Sequence, residues 1–347
     1  MALKVIVVGL GARGREWARE VSADPRFELA AGVEPDEEAR RRASAEAGGA
    51  RLFADAGEAL DQTPCDAVVV ATPAHQHAAA CEAALARGRA VLVEKPFATT
   101  LAGAARVVRL AEAAGVPLVV GQNYRYMRSF RTVRRLVREG ALGRVGHVVC
   151  QYWRVPHEMA PWLARSEHSM LWGAAIHHLD ALRHILGQRV TGVAAESYTT
   201  PWGELPHGAS LRVLLDFDGG VRATYSGSYE SSGHEFFERG QEFYLRLVGE
   251  RATLHVFHRW LLLCERGRWP RLVRRGPREV SEERVLLGQL ERALLHGEEP
   301  DASGRDNLQT MAVVEACLRS ADERRWVNPQ ELLEELKQPE EEMMNAE

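Results

Sequence analysis

Over the first 122 residues, short valine-rich runs alternate with amphipathic stretches, a rhythm that leaves few folds open. The runs fall at residues 4–8, 28–33, 67–71, 90–93 and 118–120, with helical periodicity near 13–22, 36–47, 75–87 and 101–114. A strand that is apolar along its whole length is buried on both faces, and a helix after each strand returns the chain to start a parallel neighbour. Gly88 and Gly115 stand where two of these helices end, as C-terminal caps would. The pattern predicts a doubly wound α/β domain over residues 1–122.

The rhythm then changes. After a helix near 129–139 come longer β runs at 145–153, 190–198, 209–217, 221–229, 243–248 and 253–264, interrupted by a helix over 174–186. Asp218-Gly219-Gly220 joins two of them as a hairpin. Strands linked by tight turns predict an α+β domain with a large, mainly antiparallel open sheet, assigned to 123–328 with helices near 282–296 and 307–321. Residues 329–347 form an acidic tail, helical at its start and frayed beyond.

At 347 residues the chain exceeds what one core usually serves, which supports two domains. The formal net charge of −4 carries no basic excess, so nucleic acid is not an expected partner. No apolar stretch approaches the roughly 20 residues that span a bilayer. The opening residues pass directly into a strand and do not read as a signal peptide. Cys65, Cys81, Cys150, Cys264 and Cys317 are scattered and odd in number, which predicts free thiols in a reducing compartment. A cytoplasmic protein is expected. His75 and His77, and the His177-His178 pair, lack further ligands at a recognised spacing, so no metal site is expected.

Val5-Ile6-Val7-Val8-Gly9-Leu10-Gly11-Ala12-Arg13-Gly14 is a strand feeding a GxGxxG turn and a helix. In such a turn the first glycine allows the bend, the second lets backbone approach a pyrophosphate, and the third lets helix and strand pack closely. The anion rests on unpaired amides at the helix N-terminus. Glu34, ending the second strand, can accept hydrogen bonds from the adenosine ribose hydroxyls and repels a 2′-phosphate. NAD is therefore expected over NADP. Arg13 and the Arg40-Arg41-Arg42 run are the features that keep NADP open, although the run reads as a solvated helix face.

Ala71-Thr72-Pro73, with His77 after it, and Glu94-Lys95-Pro96 close two further strands. Ligands of open α/β sheets bind beyond the carboxyl ends of the strands, so both segments are expected at the cofactor. A lysine there can donate to a substrate oxygen, and Pro96 suits a rigid turn that aims it. In the helix over 174–186, Ile176, Leu179, Leu182, Ile185 and Leu186 form an apolar stripe, while His177, Asp180, Ala181 and His184 lie on another arc. Periodicity alone reads these histidines as packing residues. Trp153, Trp162, Trp172 and Trp202 flank this region and suit either core packing or stacking on a sugar ring.

Taken together, the glycine turn, Ala71-Thr72-Pro73 with His77, Glu94-Lys95-Pro96, Gly121-Gln122-Asn123-Tyr124-Arg125 and His177-His178-Leu179-Asp180 resemble the Gfo/Idh/MocA oxidoreductase family over nearly the whole chain up to about Val327. The resemblance implies a Rossmann domain, a second domain used for substrate and often for oligomerisation, and sugar, inositol or related polyol substrates. It places Lys95 and His177 at catalysis, with Tyr124, Arg125, Trp153, Trp172 and His178 toward substrate. It places Asn123 with Gly9, Leu10, Gly11, Ala12, Arg13, Gly14, Glu34, Ala71, Thr72, Pro73, His77, Glu94 and Lys95 at the cofactor. The family often has an aspartate four residues before the catalytic histidine, and here that position is Gly173. The expected activity is hydride transfer between a secondary hydroxyl and the nicotinamide. A lyase or glycosidase working by transient oxidation and a non-enzymatic dinucleotide-binding regulator are the alternatives. A homodimer or homotetramer is expected through the outer sheet face, with Leu245, Leu247, Val256 and Phe257 offered as its residues.

Overall fold

The chain folds as two units, Met1–Asn123 with Glu279–Met311 and Tyr124–Arg278 with Ala312–Glu347. The computed structural model describes residues 2–44, 46, 48–155, 161–205, 208–231, 241–257, 260–277 and 280–337.

The first unit runs β1 (Leu3–Val8), α1 (Ala12–Ala23), β2 (Phe27–Val33), α2 (Glu37–Ser44), β3 (Arg51–Phe53), α3 (Ala56–Gln62), β4 (Ala67–Val70), α4 (Ala74–Leu85), β5 (Ala90–Val93), α5 (Leu101–Ala114) and β6 (Leu118–Val120). All six strands are parallel, in the order β3-β2-β1-β4-β5-β6. The order reverses between β1 and β4, which opens a crevice at their carboxyl ends. Val5, Ile6, Val7, Val68, Val69, Val70, Val91, Leu92 and Val93 are fully buried, as runs without alternation require. The β3–α3 unit escaped the sequence reading because three residues on a sheet edge show no periodicity; α3 is held by Asp55, whose carboxylate accepts the Glu58 amide at 2.8 Å.

The second unit continues with a 3₁₀ turn (Asn123–Tyr126), α6 (Arg128–Arg138), β7 (Val145–Arg154), α7 (Pro161–Ala164), a π-helical turn (Leu171–Ala175), α8 (Ile176–Leu186), β8 (Val190–Tyr198), β9 (Ser210–Phe217), β10 (Arg222–Ser228), β11 (Gln241–Gly249), β12 (Ala252–Phe257), β13 (Trp260–Glu265) and β14 (Arg271–Leu272). Its sheet runs β14-β13-β12-β11-β7-β10-β9-β8 and is antiparallel except where β7 meets β10. The 218–220 hairpin forms as expected, with the Phe217 amide donating to the Val221 carbonyl at 3.0 Å. The run over 253–264 is two strands, β12 and β13, rather than one.

One face of this sheet is buried and the other is open. Leu245, Leu247 and Val256, expected outside, are at most 1% exposed, whereas Phe257 is 46% exposed. Parity decides this: Val256 and Phe257 are neighbours on one strand and must face opposite ways. The open face instead carries Trp260, Phe257 and Tyr244 in one cross-strand row.

The last helices are α9 (Glu282–His296), α10 (Gly304–Glu323) and α11 (Pro329–Glu335). Expected with the second domain, α9 instead packs on β5, β6 and α1 of the first unit. The Val120 amide donates to the Ala302 carbonyl at 2.8 Å, so the segment after α9 lies along the β6 edge. An amphipathic period shows that a helix has an apolar face, not which sheet that face covers. The acidic tail begins with α11, whose Pro329 and Leu332 are buried, and residues 338–347 lie outside the described residues.

Candidate active site

The glycine turn sits at the reversal of strand order. Gly9 has φ +89°, and a Cβ there would stand 2.7 Å from the Ala71 carbonyl oxygen; a Cβ on Gly14 would collide with the Gly9 carbonyl. Gly11 has open space beside it, and α1 starts there without a side-chain cap or an acidic first turn. Exposed amides and a helix N-terminus facing empty space suit a pyrophosphate. Glu34 projects to the same place, one oxygen accepting the Leu10 amide at 2.9 Å and the other the Asp36 amide at 3.2 Å. Among the described residues, Thr72 Oγ1 and Asn123 Oδ1 are buried side-chain atoms without a hydrogen-bond partner. These features fit a dinucleotide.

Arg13 does not face that space as a phosphate ligand would. Its guanidinium contacts Glu94 at 2.6 Å, Glu16 at 2.7 Å and Glu283 at 2.7 Å. Glu94 also accepts the Trp17 indole N–H at 2.8 Å. Both residues were expected at the cofactor; the structure uses them to tie α1 to the end of β5. His77 is corrected in the same way. It is 2% exposed, with Nδ1 2.7 Å from the Pro96 carbonyl oxygen and Nε2 2.7 Å from that of Thr72. Burial pulls its pKa below the usual value despite both carbonyls. With both nitrogens engaged, His77 clamps the 71–73 turn to the 94–96 turn and positions them.

Lys95 follows from this scaffold. It is half-buried, and it precedes Pro96 through a cis peptide bond. Burial pulls its pKa down to about 8; Glu94 works against that shift and Arg13 adds to it. A lysine in this state can hold a charge and still exchange a proton near neutrality.

In the second unit the π-helical turn delivers the chain into α8. His177 is 8% exposed, and the Tyr124 ring lies flat against it, with centroids 4.1 Å apart and planes at 12°. Burial, reinforced by Tyr152, pushes the Tyr124 phenol well above its usual pKa. His178 takes a different path: 1% exposed, it stacks on Phe243 at 5.4 Å and reaches the Tyr225 hydroxyl at 3.3 Å. It is a core residue and not a substrate contact. Arg125 is likewise withdrawn from the substrate assignment, being 1% exposed and bidentate to Asp180 at 2.6 and 2.5 Å. Asp180 is thereby committed to Arg125 and is 3.9 Å from Arg183.

A Cβ on Gly173 would collide with the Tyr229 hydroxyl and lie 2.8 Å from Leu163 Cδ2. The tyrosine, 3% exposed, fills the volume that a larger residue at 173 would need. Trp153 alternates with Tyr152 along β7, so it is on the sheet face opposite the histidines. Trp172 is half-buried in the π-helical turn, and Trp202 is 68% exposed, its indole donating to the Glu230 carbonyl at 3.0 Å. The side chain of Trp162 lies outside the described residues. Sequence reasoning missed Tyr152 and Tyr225, which reach His178 from distant strands, and Tyr229, whose ring meets that of Tyr152; their one signal was tyrosine within β runs.

Fold and glycine turn together define an NAD-binding oxidoreductase. The model described as "Oxidoreductase family, NAD-binding Rossmann fold" matches residues 3–122, and the GFO/IDH/MocA C-terminal domain matches residues 130–255. The chain belongs to the Gfo/Idh/MocA oxidoreductase family. It is 32% identical to a D-apiose dehydrogenase of Paraburkholderia graminis, over 86% of this chain and 82% of that protein. It is 30% identical to inositol 2-dehydrogenase 2 of Saccharopolyspora erythraea, over 92% and 93% of the two chains. An Agrobacterium radiobacter oxidoreductase, solved with NAD+, L-tartaric acid and magnesium, superposes with a TM-score of 0.87 at 26% identity, covering 96% of this chain and all of that one. Among the described residues no helix is long and apolar enough to cross a membrane, and no group of three or more His, Cys, Asp or Glu side chains could hold a metal.

Proposed function

We propose that the protein is a dehydrogenase of a secondary hydroxyl on a sugar, inositol or related polyol, with Lys95 and His177 as its catalytic residues. The observation that carries this reading is Lys95 itself: a lysine with its pKa drawn to about 8, on a turn clamped by His77 and Glu94 at the sheet's ligand-binding edge. The D-apiose and inositol dehydrogenase relatives support the substrate class.

NAD, held by the glycine turn, Glu34, Thr72 and Asn123, supplies the hydride acceptor or donor. His177 accepts the hydroxyl proton, and its imidazole is held in plane by Tyr124. The Lys95 ammonium donates to the same oxygen and stabilises the negative charge that develops there. Tyr124 and Trp172 are the remaining candidates for substrate contact. We also propose self-association through the open sheet face.

A screen of NAD reduction over polyols, inositols and aldoses tests the activity. With the substrate found, Lys95→Ala and His177→Ala each lower kcat/KM by about two to four orders of magnitude. If the ammonium is the required form, kcat/KM of the parent falls as pH rises through about 8, because Lys95 then loses its proton. Undiminished turnover after both replacements would refute the mechanism.

A further inference from the structure

Arg154 ends β7 and shares the parity of Tyr152, so its side chain leaves the sheet on the face that carries the histidines. There its guanidinium hydrogen-bonds the Tyr152 phenol, and its charge also acts on the phenols of Tyr124 and Tyr229. Tyr124 is the ring stacked on His177, and Tyr229 meets Tyr152 edge-on at 6.4 Å. The Tyr229 hydroxyl stands against Gly173, four residues before His177. Strand β7 thus carries a cation to the rings beside His177.

No internal carboxylate neutralises that cation. Arg154 is half-buried, its Nε is buried without a hydrogen-bond partner, and it forms no ion pair among the described residues. Two carboxylates on neighbouring strands turn elsewhere. Glu230 follows Tyr229 and accepts the Thr200 amide at 2.8 Å. Glu242 stands opposite Trp153 on β11 and shares the face of that tryptophan. Burial pushes the three phenols above their usual pKa, so they stay protonated and offer O–H groups rather than negative charge. A guanidinium withdrawn from water without an anion is costly, and packing alone gives no reason to keep one there.

We propose that Arg154 holds the carboxylate of a polyhydroxy acid whose secondary hydroxyl lies at His177. The inference rests on the dehydrogenase reading and names its substrate class. A planar guanidinium binds a carboxylate through two parallel hydrogen bonds, and the tyrosine hydroxyls can serve the remaining oxygens. One guanidinium matches a single negative charge better than the nearly two of a phosphate. In turnover the carbinol carbon gives its hydride to NAD and its hydroxyl proton to His177, leaving a ketone, and the carboxylate passes through unchanged.

The full chain, saturated with NAD, is titrated calorimetrically with D-gluconate, D-galactonate, D-glucuronate and D-galacturonate. NAD reduction is then followed for each acid and for its neutral counterpart: D-glucitol, galactitol, D-glucose and D-galactose. At least one acid is expected to bind with a Kd below about 1 mM. Its kcat/KM is expected to exceed that of its counterpart at least about tenfold. Arg154→Gln lowers that ratio at least about tenfold, mainly through KM, and Arg154→Lys restores part of it. Preference for the neutral compounds overturns the inference and leaves the dehydrogenase reading standing. Arg154-dependent binding of an acid without NAD reduction supports the carboxylate site and counts against the dehydrogenase reading. No binding of any acid, binding of D-glucose 6-phosphate in their place, an unchanged ratio in Arg154→Gln, or loss of NAD affinity there with acid affinity kept would each overturn the proposal.

Discussion

Glu34 is held by two backbone amides, so its charge is fixed at the mouth of the glycine turn. A 2′-phosphate approaching there meets a carboxylate that cannot swing away, and Arg13, tied to three carboxylates, offers it no compensation. NAD is expected to bind at least tenfold more tightly than NADP, a gap of about 1.4 kcal/mol, which Glu34→Ser narrows. Titration of both cofactors checks this, and equal affinities for the parent would contradict it. Gly173 carries a second prediction. Because Tyr229 and Leu163 occupy the space, Gly173→Asp destabilises the fold by about 1–3 kcal/mol and does not raise activity. A denaturation midpoint equal to the parent's would show that the space is open after all. Lys95, Glu34 and His177 could be named from short motifs. The roles of His77, His178 and Arg125 could not, because the carbonyls, rings and carboxylate that engage them come from distant parts of the chain.

Elements with a strong period were readable, and short or edge elements were not. The valine runs gave β1, β2, β4, β5 and β6, and the longer β runs gave β7 to β11, while β12 and β13 were read as one run and the two-residue β14 was missed. The π-helical turn left no imprint: its extra residue per turn shifts side chains around the axis without altering composition. Partner choice left none either, as α9 shows. That helix buries Leu286, Leu287 and Leu290 completely. Leu290→Ala should cost about 2–5 kcal/mol, since the cavity left against the sheet collapses only in part. Urea unfolding measures this, and an unshifted midpoint would mean that α9 is dispensable to the first unit.

For the whole molecule, the open sheet face makes the strongest demand. Trp260 is 63% exposed, Phe257 46% and Leu214 48%, all on strands of one sheet. Apolar area of this kind on a continuous surface favours a matching surface, and a second copy of the chain supplies one. Light scattering at micromolar concentration is expected to give a dimer or tetramer mass, and Phe257→Glu with Trp260→Glu to reduce it to that of one chain. A parent of monomer mass would remove the idea. The placement of α9 has a consequence in time. About 160 residues separate β6 from α9, and at roughly 5–20 residues per second a ribosome needs about 10–30 s to make them. Throughout that interval the emerging first unit has β5 and β6 without the helix that covers them, so its newborn sheet presents bare valines to whatever chaperone stands at the tunnel exit.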